Sequence, residues 1–256
     1  MTEAWRRAAE FRPAPGVLDL WAIDLARPIS ADDRALLDAD ETAKADRIII
    51  EAKRRQSYRS RAELRRILAH YLGGDPRALR FVYGEHGKPG LAPGPAGEPA
   101  PLCFNLSHSG DLALVGVVPG RPELQLGVDV ELARLGREFA SIATSFFAAD
   151  EVAVFRRIPA AEQPAAFYRA WTRKEAYLKA IGTGLSFAST GFSIRYGRDE
   201  EPALLHTTRP GDDVRRWRMI DVPCQAGYAA AACWDGEALP LRRFWAPHSQ
   251  PEGQPG

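Results

Sequence analysis

Cysteine is scarce: Cys103, Cys224 and Cys233 are the three in a chain of 256 residues. They are scattered, odd in number and form no CxxC pair. That argues against a disulfide framework and a thiolate zinc site, and fits a reducing compartment. Long apolar runs are missing, since no uninterrupted stretch approaches the roughly 18 residues of a membrane helix. Mean hydropathy is −0.28. An excess of one charge sign is missing too. Lys plus Arg is 34 and Asp plus Glu is 33, a formal net charge of +1, which argues against a globally basic nucleic-acid binder. The opening MTEAWRRAAEF has no apolar stretch behind its charges, so no secretory signal is expected. The expected setting is cytoplasmic, with neither a membrane nor a nucleic acid as partner.

What is present is ordinary globular composition, 45% hydrophobic and 26% charged residues, enough apolar content to build a sizeable core. Residues 1–16 read as a loose arm. Residues 17–25, with apolar side chains at 17, 21, 23 and 25, read as a period-two strand. Ser30 offers a helix N-cap. One long helix is expected over 42–72, with Leu64, Ile67, Leu68, Tyr71 and Leu72 as its apolar stripe and Gly73 as its stop. Residues 84–101 hold five Gly and five Pro and read as loop. Strands are expected at 102–106, 112–118, 124–130, 192–196, 217–222 and 227–234. Helices are expected at 141–155 and 161–181, and a disordered polar tail at 247–256. The order of elements repeats faintly, and 112–117 and 228–233 look like equivalent closing strands. The fold class read from this is α+β, built of two similar α/β halves that meet near residue 126.

Four strings carry chemistry. In Gly127-Val-Asp-Val-Glu131 a strand would point Asp129 and Glu131 to one side and the valines to the other. Two carboxylates on one face repel unless something positive joins them. Either a hard cation such as Mg²⁺ does so, or the strand has a solvated polar face. In Trp171-Thr-Arg-Lys-Glu-Ala-Tyr-Leu-Lys179, residues Trp171, Glu175 and Lys179 share a helix face. They make either an exposed salt bridge or a third metal ligand beside a phosphate contact. Phe104-Asn-Leu-Ser-His-Ser109 reads as a polar turn. Its His108 is either a phosphate contact or a hydrogen-bonded turn histidine, and no hydrolase elbow surrounds its serines. The fourth feature is charge. Between residues 53 and 80, nine Lys or Arg stand against Glu63 and Asp75, a net +7. That makes either a solvated helix face or a cradle for a polyanion. Lys88, in Gly87-Lys-Pro89, is a lone cation in a Gly/Pro loop. His70, His86, His206 and His248 show no paired metal spacing.

In order and spacing these marks, with Phe146-Phe-Ala-Ala-Asp-Glu151, resemble the 4′-phosphopantetheinyl transferase superfamily, within it the Sfp-like two-half branch. The resemblance spans about residues 17–235. Ser145, before Phe146, departs from the basic residue that relatives often carry there. The resemblance implies two halves related by pseudo-twofold symmetry, 1–126 and 127–246, with the site at their interface. It implies transfer of 4′-phosphopantetheine from coenzyme A to a serine of an apo acyl or peptidyl carrier protein. Mg²⁺ is required and adenosine 3′,5′-bisphosphate is released. Carried over by position, Asp129, Glu131 and Glu175 are the metal ligands, and Glu175 and Lys179 the catalytic pair. Lys44, Arg47, Arg55, Lys88, Ser107, His108 and Lys179 are the coenzyme A contacts. The base is either Glu175 or a water on the metal. Because Asp129, Glu131 and Glu175 follow the junction while Lys88 and His108 precede it, a functional monomer is expected. Two other readings compete. One is a different Mg²⁺-dependent phosphotransferase or phosphohydrolase acting on a nucleotide. The other is an RNA- or acidic-protein-binding module built on residues 53–80.

Overall fold

The computed structural model describes residues 5–94 and 96–249. The fold is mixed α+β. Its first sheet has strand order β11-β1-β5-β4, from Leu241–Trp245, Leu18–Asp24, Leu112–Pro119 and Leu102–Ser109. β1 runs parallel to β11 and antiparallel to β5, and β4 closes the other edge antiparallel to β5. β1 does not show the expected one-sided burial. Leu18 and Leu20 enter one core and Trp21 and Ile23 another, because the sheet is covered on both faces. One cover is α3 (Glu51–Leu72), whose Leu64, Ile67 and Leu68 pack with Trp21, Phe104 and Val115. Gly73 ends it in the left-handed conformation at φ 66°, which glycine adopts without a Cβ penalty.

The long helix expected over 42–72 is broken. The short α1 (Ala31–Ala35) and α2 (Ala39–Asp46) start at capping boxes built by Ser30 with Asp33 and by Asp38 with Glu41. Residues 47–50 then interrupt the helix, and Ile50 caps α3 in an extended conformation. Three consecutive β-branched isoleucines lose side-chain freedom in a helix. The turn also lets Glu41 and Asp38 reach back to the buried Arg65, at 2.8 and 3.1 Å. Residues 84–101 are not wholly loop either: β3 (Pro89–Leu91) pairs antiparallel with β2 (Phe81–Tyr83). Pro89 is tolerated because this two-stranded ribbon is all edge.

The second sheet has order β6-β10-β9, from Leu126–Leu132, Tyr228–Asp235 and Trp217–Asp221, all antiparallel. Leu18, Leu20 and Leu114 of the first sheet share a core with Val128, Val130, Ala230 and Ala232 of the second. On its other face lies α6 (Gln163–Ile181), ended by Gly182 at φ 69°, over an aromatic-rich core with Phe167, Tyr177, Phe192 and Trp217. The helix expected over 141–155 is two, α4 (Phe139–Phe146) and α5 (Ala149–Phe155), separated by extended Phe147 and Ala148. The Glu151 carboxylate accepts the Ala148 amide at 2.7 Å and so starts the second helix. β7 (Phe192–Arg195) pairs with β8 (Ala203–Thr207). β8 and β11 were not expected, because neither Ala203–Thr207 nor Leu241–Trp245 shows a clean alternation.

The termini are tied down where they are described. Phe11 is buried and meets Trp21 and Phe244 edge-on at 4.9 and 5.3 Å, so the arm is not loose from residue 5 onward. Ser249 is also buried, and Arg59 donates to the His248 carbonyl. The expected disordered tail therefore begins with pinned residues, and 250–256 lie outside the described part. Among the described residues no helix is long and apolar enough to cross a membrane.

Candidate active site

The centre is where β6, α6 and β4 meet. Gly127 opens β6 because nothing larger fits. A Cβ there would lie 2.0 Å from the Ala176 carbonyl oxygen and 2.4 Å from the Ala180 nitrogen. Its absence lets α6 rest on the strand and carries Glu175 and Lys179 over Asp129. Val128 and Val130 point into the inter-sheet core, which leaves Asp129 and Glu131 together on the face that α6 covers, beside the edge where β4 runs. Lys179 Nζ stands 2.6 Å from Asp129 Oδ1 and donates to Ser107 Oγ at 2.7 Å. Ser107 donates to Asp129 Oδ1 at 2.8 Å, and Ser109 to Glu131 Oε2 at 2.6 Å.

Charge in this basin is out of balance. Burial raises the Glu175 pKa above its ordinary value, and the negative charges of Asp129 and Glu131 raise it further against the pull of Lys179. Burial likewise raises Glu131, opposed by the Ser109 hydrogen bond and reinforced by Asp129. One ammonium thus faces three carboxylates. Asp129 Oδ2 is buried with no hydrogen-bond partner, an acceptor left for something else. As they stand, no three His, Cys, Asp or Glu side chains among the described residues are gathered into a metal-holding group. The donor chemistry nonetheless fits a divalent hard cation: the oxygens are carboxylate, one is orphaned, and their mutual repulsion exceeds what Lys179 offsets.

The remaining candidates divide. Beside the basin lies a cavity of about 300 Å³ lined by His86, Lys88, Asn105, Glu175, Lys179 and Gly182, among others. Lys88 lines it, but its ammonium donates to the carbonyls of Leu126 and Ala180 at 2.9 and 3.1 Å. Burial pulls its pKa down to about 8. It therefore clasps the start of β6 and the end of α6. His108 is not in a turn. β4 runs on through Ser109 and puts the imidazole on its exposed side, with Gly110 making the turn. Desolvation by the site walls lowers its pKa, and the charges of Lys179 and Lys53 lower it further. Lys44, Arg47 and Arg55 are exposed on or beside α2 and α3 and do not line this cavity. Lys44 stacks on Tyr83 at 4.3 Å.

The +7 segment proves partly neutralised, with four of its arginines held by Asp33, Asp38, Glu41 and Glu63. Arg66 pairs with Asp33 and Glu63 at 2.6 and 2.8 Å, Arg65 with Glu41 and Asp38, and Arg61 with Glu41 at 3.3 Å. Buried Arg59 lies 3.6 and 3.5 Å from Asp33 and Glu63. Only Lys53, Arg54 and Arg55 remain near the site end without a drawn ion pair among the described residues. Asp33, Asp38 and Glu41 precede the segment, so counting charge over a window missed them. Sequence reasoning also passed over Asn105 and Ser109. The signal for both was present, as small polar residues at every second position of a strand. In the α6 string, Arg173 and Lys174 serve the fold. Arg173 forks onto Asp221 at 2.7 and 2.6 Å. Lys174 is buried against Glu151 at 2.6 Å and donates to the Phe192 carbonyl.

The model of the 4′-phosphopantetheinyl transferase superfamily matches residues 125–233. The 4′-phosphopantetheinyl transferase HetI of Nostoc sp. is 41% identical over 169 residues, 65% of this chain and 69% of that protein. The Synechocystis sp. protein slr0495, provisionally named for the same activity, is 30% identical over 239 residues, 91% of this chain and 93% of that protein. A phosphopantetheinyl transferase of Thraustochytrium sp. is 29% identical over 245 residues, 88% of this chain and 83% of that protein. Among solved structures, the Thermotoga maritima holo-(acyl-carrier-protein) synthase superposes at a TM-score of 0.34 with 19% identity. That match covers 44% of this chain and 63% of that one. On the two cyanobacterial relatives, aligned across more than two thirds of their lengths, the chain belongs to the 4′-phosphopantetheinyl transferase superfamily.

Proposed function

We infer that the chain moves 4′-phosphopantetheine from coenzyme A to a serine hydroxyl of an apo acyl or peptidyl carrier protein. The observation that carries this reading is the basin of Asp129, Glu131 and Glu175 with Lys179, beside the cavity that β4, α6 and residues 86–89 enclose. The carrier serine Oγ forms a bond to the phosphorus that bears pantetheine. The bond from that phosphorus to the adenosine-side phosphate breaks, and adenosine 3′,5′-bisphosphate leaves with the electron pair. Asp129, Glu131 and Glu175 would hold Mg²⁺, which when bound would supply positive charge to the pyrophosphate. Lys179, directed by Ser107 and Asp129, presents its ammonium to the same phosphates. Glu175 takes the serine proton. No hydrogen bond among the described residues ties up its carboxylate, which leaves it open to a proton. His108 and Lys53, with the exposed Lys44, Arg47 and Arg55, meet the 3′-phosphate.

The connectivity supports two related halves. β1–α3–β4–β5 and β6–α6–β9–β10 have the same order of elements, and each puts its last strand in the middle of an antiparallel trio. We assign them to 1–126 and 127–246 about a pseudo-twofold axis, with β11 returning to flank the first sheet. The competing nucleic-acid or acidic-protein module on residues 53–80 is narrowed to the end that carries Lys53, Arg54 and Arg55, since Arg59, Arg61, Arg65 and Arg66 are spent internally. Mixing the protein with coenzyme A, Mg²⁺ and a panel of apo carrier proteins, and weighing the products, tests the reading. The expected result is a gain of one phosphopantetheinyl unit on a carrier serine. No gain on any carrier by folded protein would overturn it.

A further inference from the structure

β4 and β6 are edge strands of different sheets, yet their contact is stitched. Asn105 Oδ1 accepts the Val128 amide at 2.9 Å, Ser107 Oγ the Val130 amide at 3.4 Å, and Ser109 Oγ the Leu132 amide at 3.1 Å. The offset in sequence is constant, so the strands run parallel. Side chains on β4 take the place of a backbone ladder for amides that would otherwise be buried without acceptors. A hydroxyl has one proton and two lone pairs. Each serine accepts the amide of one residue and gives its proton to the carboxylate just before it. Ser107 gives to Asp129 at 2.8 Å and Ser109 to Glu131 at 2.6 Å. The half of the chain that contributes none of the three carboxylates therefore orients two of them.

We propose that Ser109 is a positioning residue for the cation site. Its hydroxyl holds Glu131 by Oε2 and leaves Oε1 directed to the basin, before any ligand arrives. The proposal rests on the cation reading above and adds a residue to it. Ser107 does the same for Asp129, but it also touches Lys179, so Ser109 is the cleaner test. Groups that orient metal ligands typically change affinity about 10- to 100-fold when removed.

The probe is Mn²⁺ alone, titrated into the full chain and followed by the paramagnetic resonance of the free ion. Ser109→Ala should weaken binding by about tenfold or more, and Ser109→Thr, which keeps the hydroxyl, should stay near wild type. In a Glu131→Gln background, Ser109→Ala should cost nothing further. Should the alanine variant fail to fold, Ser109→Cys, similar in size but a weaker donor, carries the same comparison. Wild-type affinity in Ser109→Ala, or an equal loss in the Glu131→Gln background, would overturn the proposal and leave the cation reading standing. No Mn²⁺ uptake by the wild type would remove both.

Discussion

Glu175 shows how a single site residue sets function against stability. Its folded pKa lies above the ordinary carboxylate value because of burial and two neighbouring carboxylates. Between the ordinary and the raised value the folded state binds the proton and the unfolded chain does not. Stability therefore falls as pH rises through that window, and at neutral pH the ionised carboxylate works against folding. Glu175→Gln should then raise the thermal midpoint by about 2–4 °C, the shift that ~1 kcal/mol gives in a chain of this size. It should also lower transfer by about 100-fold or more. A variant no more stable than wild type, by calorimetry, would contradict the charge argument. At His108 the neighbouring cations Lys179 and Lys53 mark a place for an anion. His108→Ala should weaken coenzyme A more than 3′-dephospho-coenzyme A in a competition assay, and equal losses would place the imidazole elsewhere.

At the scale of elements, α6 on β6 is the decisive contact, and it depends on Gly127. Gly127→Ala sets a methyl group into the backbone of α6 at Ala176 and Ala180, where no side chain can yield. The helix must lift. Overpacking of this kind costs about 1–3 kcal/mol, and here it also withdraws Glu175 and Lys179 from Asp129. Both the thermal midpoint and the transfer rate should fall together, and unchanged transfer would show that the basin tolerates the shift. The opposite face of α6 holds the Lys174–Glu151 pair, in which burial raises the carboxyl and lowers the ammonium. Glu151 also accepts the Ala148 and Ile194 amides. Lys174→Met leaves that carboxylate buried without its cation, which should cost about 3–5 kcal/mol in chemical denaturation.

For the whole molecule, every residue of the candidate basin comes from one chain. Ser107, Ser109 and Lys88 come from before the junction, and Asp129, Glu131, Glu175 and Lys179 from after it. Activity should therefore elute with the monomer in size exclusion with light scattering. Activity confined to a larger species would refute this. Lys53, Arg54 and Arg55, which have no ion pair among the described residues, would suit an acidic partner, whose docking charge would steer and salt would screen. The KM for the carrier should rise with ionic strength while kcat changes little, and a salt-independent KM would remove the electrostatic part.

Much of this was legible in the chain itself. Period and stop signals placed β1, β4, β5, β6, α6, β9 and β10 near their observed positions, because the alternation of apolar residues and the terminal glycines are local properties. The chemical types of the basin, three carboxylates and a lysine at strand and helix spacing, were legible for the same reason. Tertiary structure alone decided the rest. It broke the helices at 47–50 and 147–148, where reaching Arg65 and Lys174 outweighed continuing a turn. It paired β11 with β1 across the chain, and paired Arg59, Arg61, Arg65 and Arg66 with acids that precede the 53–80 segment. It also turned the string around His108 from a polar turn into a strand whose serines hold the carboxylates of another sheet. These outcomes depend on which groups meet after folding, and a hydrogen bond or ion pair between residues far apart in sequence leaves no period in the sequence to read.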